Sequence, residues 1–177
     1  MKTILKSILT LGLAAGLGFA ANAQKTAIAP ASASVLADLT ISLDGTLNEI
    51  AFGNLSASTP DQIILDANGI SNANTGSITK VAKFDLEGAN VPVTVSYDAT
   101  VTLTESIVGT ATMIMTPQVV GAAVDTEQAT AGTVTSGNTV TLASGVYFLW
   151  VGGTIPALSS QATGVYEGTF NISVEYN

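Results

Sequence analysis

From Gly164 onward the chain alternates without a break. The even positions Gly164, Tyr166, Gly168, Phe170, Ile172, Val174 and Tyr176 are small, apolar or aromatic, while Glu167, Thr169, Asn171, Ser173 and Glu175 between them are polar. A period of two is the signature of an extended strand, whose side chains point to opposite faces in turn. A strand divided this cleanly pairs inside a sheet, with one face on the core and the other in water.

The rest of the chain repeats the pattern. Ala27, Ala29, Ala31, Ala33, Val35, Ala37, Leu39, Ile41 and Leu43 are apolar at every second position up to the turn dipeptide Asp44-Gly45. Further strands are predicted over 50–55, 62–65, 78–86, 91–97, 100–104, 111–115, 118–124, 139–143 and 146–151. Gly, Asn and Asp punctuate them at Asn68-Gly69, Asn74-Thr75-Gly76, Glu87-Gly88, Ser136-Gly137-Asn138, Ser144-Gly145 and Gly152-Gly153. Val, Thr and Ile dominate the runs, and no stretch sustains a 3.6-residue apolar period. The expected fold is all-β, an antiparallel β-sandwich or a closed barrel. An outer-membrane barrel fits the mean hydropathy of +0.47. It fits the detail poorly, because aromatic residues are only 6% of the chain and such barrels need two aromatic girdles and membrane-spanning strands.

At the start, Lys2 and Lys6 precede an apolar run over residues 8–20, and Ala21-Asn22-Ala23 gives a small-x-small cleavage pattern. Residues 1–23 therefore read as a signal peptide. The apolar run is shorter than the ~20 residues that span a bilayer, so no membrane span is expected after cleavage. Export to the periplasm, cell surface or medium follows. The expected division is a leader over 1–23, an N-terminal extension over 24–34 and one domain over 35–177.

Composition narrows function by exclusion. The chain has no His, Cys or Arg. Triads built on His, thiolate or imidazole zinc sites and disulfides are thereby ruled out, as is the bidentate guanidinium clamp for phosphate. Beyond the leader, Lys25, Lys80 and Lys83 stand against 13 acids, an excess of ten negative charges. Nucleic acid and anionic lipid are excluded as partners by that sign.

Residues that invite chemistry have structural explanations. Asp61, Asp66, Asn68, Asn72 and Asn74 supply oxygens around one loop, but their spacing misses the EF-hand pattern, and such turns are common without calcium. The pairs Asp98 with Glu105 and Asp85 with Glu87 have the two carboxylates a glycosidase needs, and nothing else marks them. In Tyr147-Phe148-Leu149-Trp150, Phe148 and Trp150 share one face; core packing is a simpler role for them than sugar stacking. Asn54-Leu55-Ser56 and Asn171-Ile172-Ser173 match a glycosylation pattern of low specificity. No catalytic residue, metal or cofactor is expected, and the chain reads as non-enzymatic.

Several pieces resemble a known family when taken in order. They are Leu47 with Phe52-Gly53, Ala82-Lys83-Phe84 with Gly88 and then 93–97, and Val151-Gly152-Gly153-Thr154-Ile155 leading into Gly164-Val165-Tyr166-Glu167-Gly168-Thr169-Phe170. With the penultimate Tyr176, this series resembles the secreted domain of unknown function numbered 4402, itself similar to spore coat U and the archaic chaperone–usher pilins. The missing Cys sets the chain apart from disulfide-bearing pilins.

The resemblance implies an immunoglobulin-like, pilin-like β-sandwich lacking one strand. It also implies an exported structural subunit of a surface fibre or coat. In pilins the gap beside the C-terminal strand is filled first by a periplasmic chaperone and then by the N-terminal extension of another subunit. On this view residues 164–176 (Gly164, Tyr166, Gly168, Phe170, Ile172, Val174, Tyr176) form the assembly strand, and the partners are other copies, related subunits or a chaperone. The candidate donor segment is Ala27, Ala29, Ala31, Ala33 and Val35, poor in bulk and interrupted by Pro30. The alternative is that this segment starts the domain's own first strand. The protein is then a self-complete secreted module that binds carbohydrate or protein.

Overall fold

A computed structural model describes residues 28–177. The leader over 1–23 and Ala27 of the candidate donor segment lie outside the described residues. Residues 28–34 carry no strand, and the domain runs over Val35–Asn177.

The domain is all-β, with two antiparallel sheets. Its strands are β1 (Thr40–Leu43), β2 (Ile63–Leu65), β3 (Ala82–Glu87), β4 (Pro92–Tyr97), β5 (Val101–Glu105), β6 (Thr112–Ala122), β7 (Gly132–Thr133), β8 (Asn138–Thr141), β9 (Val146–Ile155), β10 (Tyr166–Glu167) and β11 (Ile172–Tyr176). The larger sheet has the order β1-β3-β9-β6-β5-β10, with β2 on β9 and β7 on β6; the smaller is β11-β4-β8. The larger sheet stays open, since β1 and β10 stand at its two ends and do not pair. A 3-10 helix over Asp125–Thr130 links β6 to β7.

Several boundaries depart from the sequence expectation, each for a physical reason. The two runs around 111–115 and 118–124 join into β6 through Pro117. That proline falls between the stretch paired to β5 (Thr112–Met115) and the stretch paired to β7 (Val120–Gly121), where β6 has β9 alone beside it. β9 runs through Gly152-Gly153 instead of turning there. A Cβ on Gly152 would collide with the carbonyl oxygen of Leu65, and one on Gly153 would lie 2.8 Å from that of Thr116. The glycines let β2 and β6 close on β9 from its two sides. The alternation before Asp44 yields a strand only over Thr40–Leu43, and residues 50–55 form a single bridge, Ala51 to Lys80.

The main core lies between the sheets. Leu86, Val119, Leu149 and Val151 from the larger sheet meet Val93 and Val95 from the smaller, with Leu142 beside them. On the outer face of the larger sheet, Trp150 packs with Ala67, Val120 and Phe148. Trp150 is fully buried and 6.4 Å from Phe148 between ring centroids, so this aromatic pair is core rather than a sugar platform.

The same outer face buries Lys83, whose side chain is 7% exposed. Its Nζ lies 2.5 Å from an Asp125 oxygen, 3.1 Å from Asp85 and 3.8 Å from Asp44, and 4.9 Å from the centroid of the Phe148 ring. Desolvation pulls the ammonium toward neutrality, but hydrogen bonds to Asp125 and Asp85 outweigh it and raise its pKa. Three elements, β3, the turn after β1 and the 3-10 helix, are thus pinned by one cation.

Candidate functional site

The smaller sheet has three strands and covers only part of the larger one. Where cover is lacking, a cleft of about 900 Å³ opens onto the inner face of the larger sheet. Its floor is Phe84, Val101, Leu103, Met113, Met115 and Ile155. One wall is the segment 48–57, with Phe52 and Leu55; the other is the segment 161–170, ending at Phe170. Phe84, Leu103, Met113, Leu55 and Phe170 are only half-buried, although they belong to or border the apolar clusters beneath them.

Phe170 marks where cover ends. Its ring centroid is 5.9 Å from that of Tyr97 in the smaller sheet and 6.3 Å from that of Phe84 on the cleft floor. The long alternation from Gly164 is divided at this point. β10 pairs with β5, Tyr166 facing Glu105, whereas β11 pairs with β4 in the other sheet. Gly164, Tyr166, Gly168 and Phe170 line the cleft; Ile172, Val174 and Tyr176 pack on the main core. The two glycines have a steric role. A Cβ on Gly164 would stand 2.5 Å from Cγ of Glu105, and one on Gly168 2.5 Å from the carbonyl oxygen of Thr102. Only a chain without side chains there can lie this close to β5.

Among the described strands, the ends of the two sheets, β1 and β10 in the larger and β11 and β8 in the smaller, each keep one edge without a ladder partner. β1 pairs only with β3, and β11 only with β4. Leu43, at the cleft end of β1, is 48% exposed. At the other end of β1 the chain is tied down, because the Tyr176 hydroxyl donates to the carbonyl oxygen of Ala37 at 2.7 Å and accepts from the amide of Ala89 at 2.6 Å. Of the candidate donor residues within the described range, Ala29, Ala31, Ala33 and Val35 belong to no strand and are exposed.

The wall carrying Val165 continues into an apolar tip. Ile107 and Val108, 85% and 73% exposed, sit in the turn after β5, which is joined to Val165 by a 2.8 Å bond from the amide of Ser106. Glu105 holds this turn, its carboxylate accepting from the amides of Val108, Ile107 and Gly109 at 2.6, 3.1 and 3.3 Å. The bond from Val108 contributes most to lowering its pKa, against the opposing effect of desolvation. Asp98 is likewise occupied, accepting from the amide and the side chain of Asn171. The two carboxylates of this pair thus hold backbone, and Asp85 of the other pair faces Lys83.

In the oxygen-rich loop Asp66 is buried, Asn68 half-buried, and Asp61, Asn72 and Asn74 are exposed. Both Asp66 oxygens accept backbone amides, from Asn68, Ile70 and Ser71, and the side-chain Oδ1 of Asn72 accepts from the amide of Asp66. Asn68 and Asn74 present their amino groups to backbone carbonyls. Among the described residues no group of three acidic side chains is placed to hold a metal.

Segment 48–57 and the β5–β6 floor were not marked as a site by the sequence. Their apolar residues are ordinary strand residues until one knows which half of the sheet lacks cover. The model of one family, a domain of unknown function (DUF4402), matches residues 39–176, most of the chain, which therefore belongs to that family. No curated protein matches it.

Proposed function

We propose that this DUF4402 member is a non-enzymatic, exported structural subunit of a cell-surface fibre or coat, with an immunoglobulin-like, pilin-like fold that accepts a strand in its open cleft. The observation that carries the reading is the uncovered inner face of the larger sheet, bounded by 48–57 and 164–170, with unpaired edges on β1 and β11. Exposed core side chains beside unpaired backbone favour addition of an extended segment, which supplies ladder hydrogen bonds and alternating side chains together. The partners on this reading are related subunits, further copies or a periplasmic chaperone.

Cell-surface extracts separated in SDS without heating test it. The expected result is a ladder of species containing this chain that collapses to one band on boiling. A single monomer band in both lanes contradicts the reading. It would favour the second one, a self-complete secreted module with the cleft as a ligand site. The second reading draws support from the main core, where Leu86, Val93, Val95, Leu149 and Val151 are sealed by the domain's own strands.

A further inference from the structure

Resting on the strand-acceptor reading, we infer that the strand that fills the cleft comes from a different polypeptide, with bulky apolar side chains at alternate positions and basic flanks, and not from the extension of a second copy of this chain. Two observations converge on this. The first is size. The cleft of about 900 Å³ has half-exposed Phe84, Leu103, Met113 and Phe170 to cover, and these are large side chains with room above them. The extension offers Ala27, Ala29, Ala31 and Ala33, one methyl each, and Pro30 withholds a ladder donor. Replacing four methyls by four Leu- or Val-sized groups buries several more methylenes, which at ordinary transfer energies corresponds to at least a hundredfold in Kd.

The second is charge. The acidic residues lining the cleft are Glu49 and Glu167, and no Lys lines it. Glu49 is exposed but matched by Lys80 at 2.9 Å, whereas Glu167 is exposed and has no cation among the described ion pairs. The whole chain carries a net charge of −8, so a second copy approaches against like charge, and a basic strand approaches with it.

Isothermal titration of the purified chain, leader removed, tests this with three synthetic peptides. One has the sequence of residues 24–36. The second alternates Val, Leu and Phe with Ser and Thr between Lys flanks, and the third is its scramble. Hydrogen exchange locates binding. The alternating peptide is expected to bind at least a hundredfold more tightly than the 24–36 peptide and the scramble, and to slow exchange over 48–57 and 164–170. A 24–36 peptide that binds as tightly overturns the inference and leaves the strand-acceptor reading standing. Binding by none of the three, or protection confined to other segments, overturns both.

Discussion

The two halves of the larger sheet's inner face are built from the same residue types and end in opposite states. Beneath the smaller sheet, Leu86, Leu149 and Val151 are fully buried against Val93 and Val95. Toward β5 and β10, Leu103 and Met113 present equally apolar side chains with no strand over them. The difference comes from cover, since three strands cannot span a sheet whose main path has six. Identical hydrophobic patterning therefore yields a finished core in one half and an unfinished one in the other.

Truncations should separate the halves. Leu149→Ala opens a cavity among close-packed neighbours and is expected to cost about 3–4 kcal/mol in urea unfolding. Lys83→Met comes next. It leaves three carboxylates without their cation, and because all three keep some solvent contact the cost is about 2–3 kcal/mol. Its effect depends on pH in a stated direction. A lysine whose folded pKa is raised stabilises fully below 10.5 and loses that contribution as pH rises through the folded value, so the gap between variant and parent narrows in strong alkali.

Tyr176→Phe removes the bonds to Ala37 and Ala89 and is expected to cost about 1–2 kcal/mol, with faster amide exchange over 35–39. Glu105→Gln acts mainly at neutral pH, and its gap to the parent closes in acid. The folded pKa of Glu105 is lowered, so its stabilisation is present above the ordinary value of 4.5 and lost as pH falls through the folded value. The variant should show a flatter acid limb in a stability profile taken between neutral pH and pH 3. Smallest of all, Leu103→Ala in the cleft should cost about 1 kcal/mol or less in the isolated protein, because the side chain is already partly in water. A cost equal to that of Leu149→Ala would erase the distinction between the halves.

Much of the fold was legible from period-two alternation. β2, β4, β5, β8 and β9 fall where runs of Val, Ile and Thr between turn residues place them. What alternation does not report is which edge a strand meets. It reads Gly152-Gly153 as a turn, because close approach by Leu65 and Thr116 is a tertiary fact. It reads 164–176 as one strand, although the chain changes sheets between Glu167 and Ile172. The cleft was half legible. The Gly164–Phe170 wall stood out as a pattern, whereas Phe52, Leu55, Leu103 and Met113 acquire meaning only from the missing cover.

The central claim is that this cleft is occupied when the protein is in place at the cell surface. The chain has no Cys, so a single thiol reports without background. Thr169→Cys puts one on the cleft wall, and Thr126→Cys puts a control on the exposed 3-10 helix. Maleimide labelling is compared between purified protein and intact surface material. The expected result is at least tenfold slower labelling at 169 in the surface material with no change at 126. Equal rates at 169 in both preparations would contradict the claim.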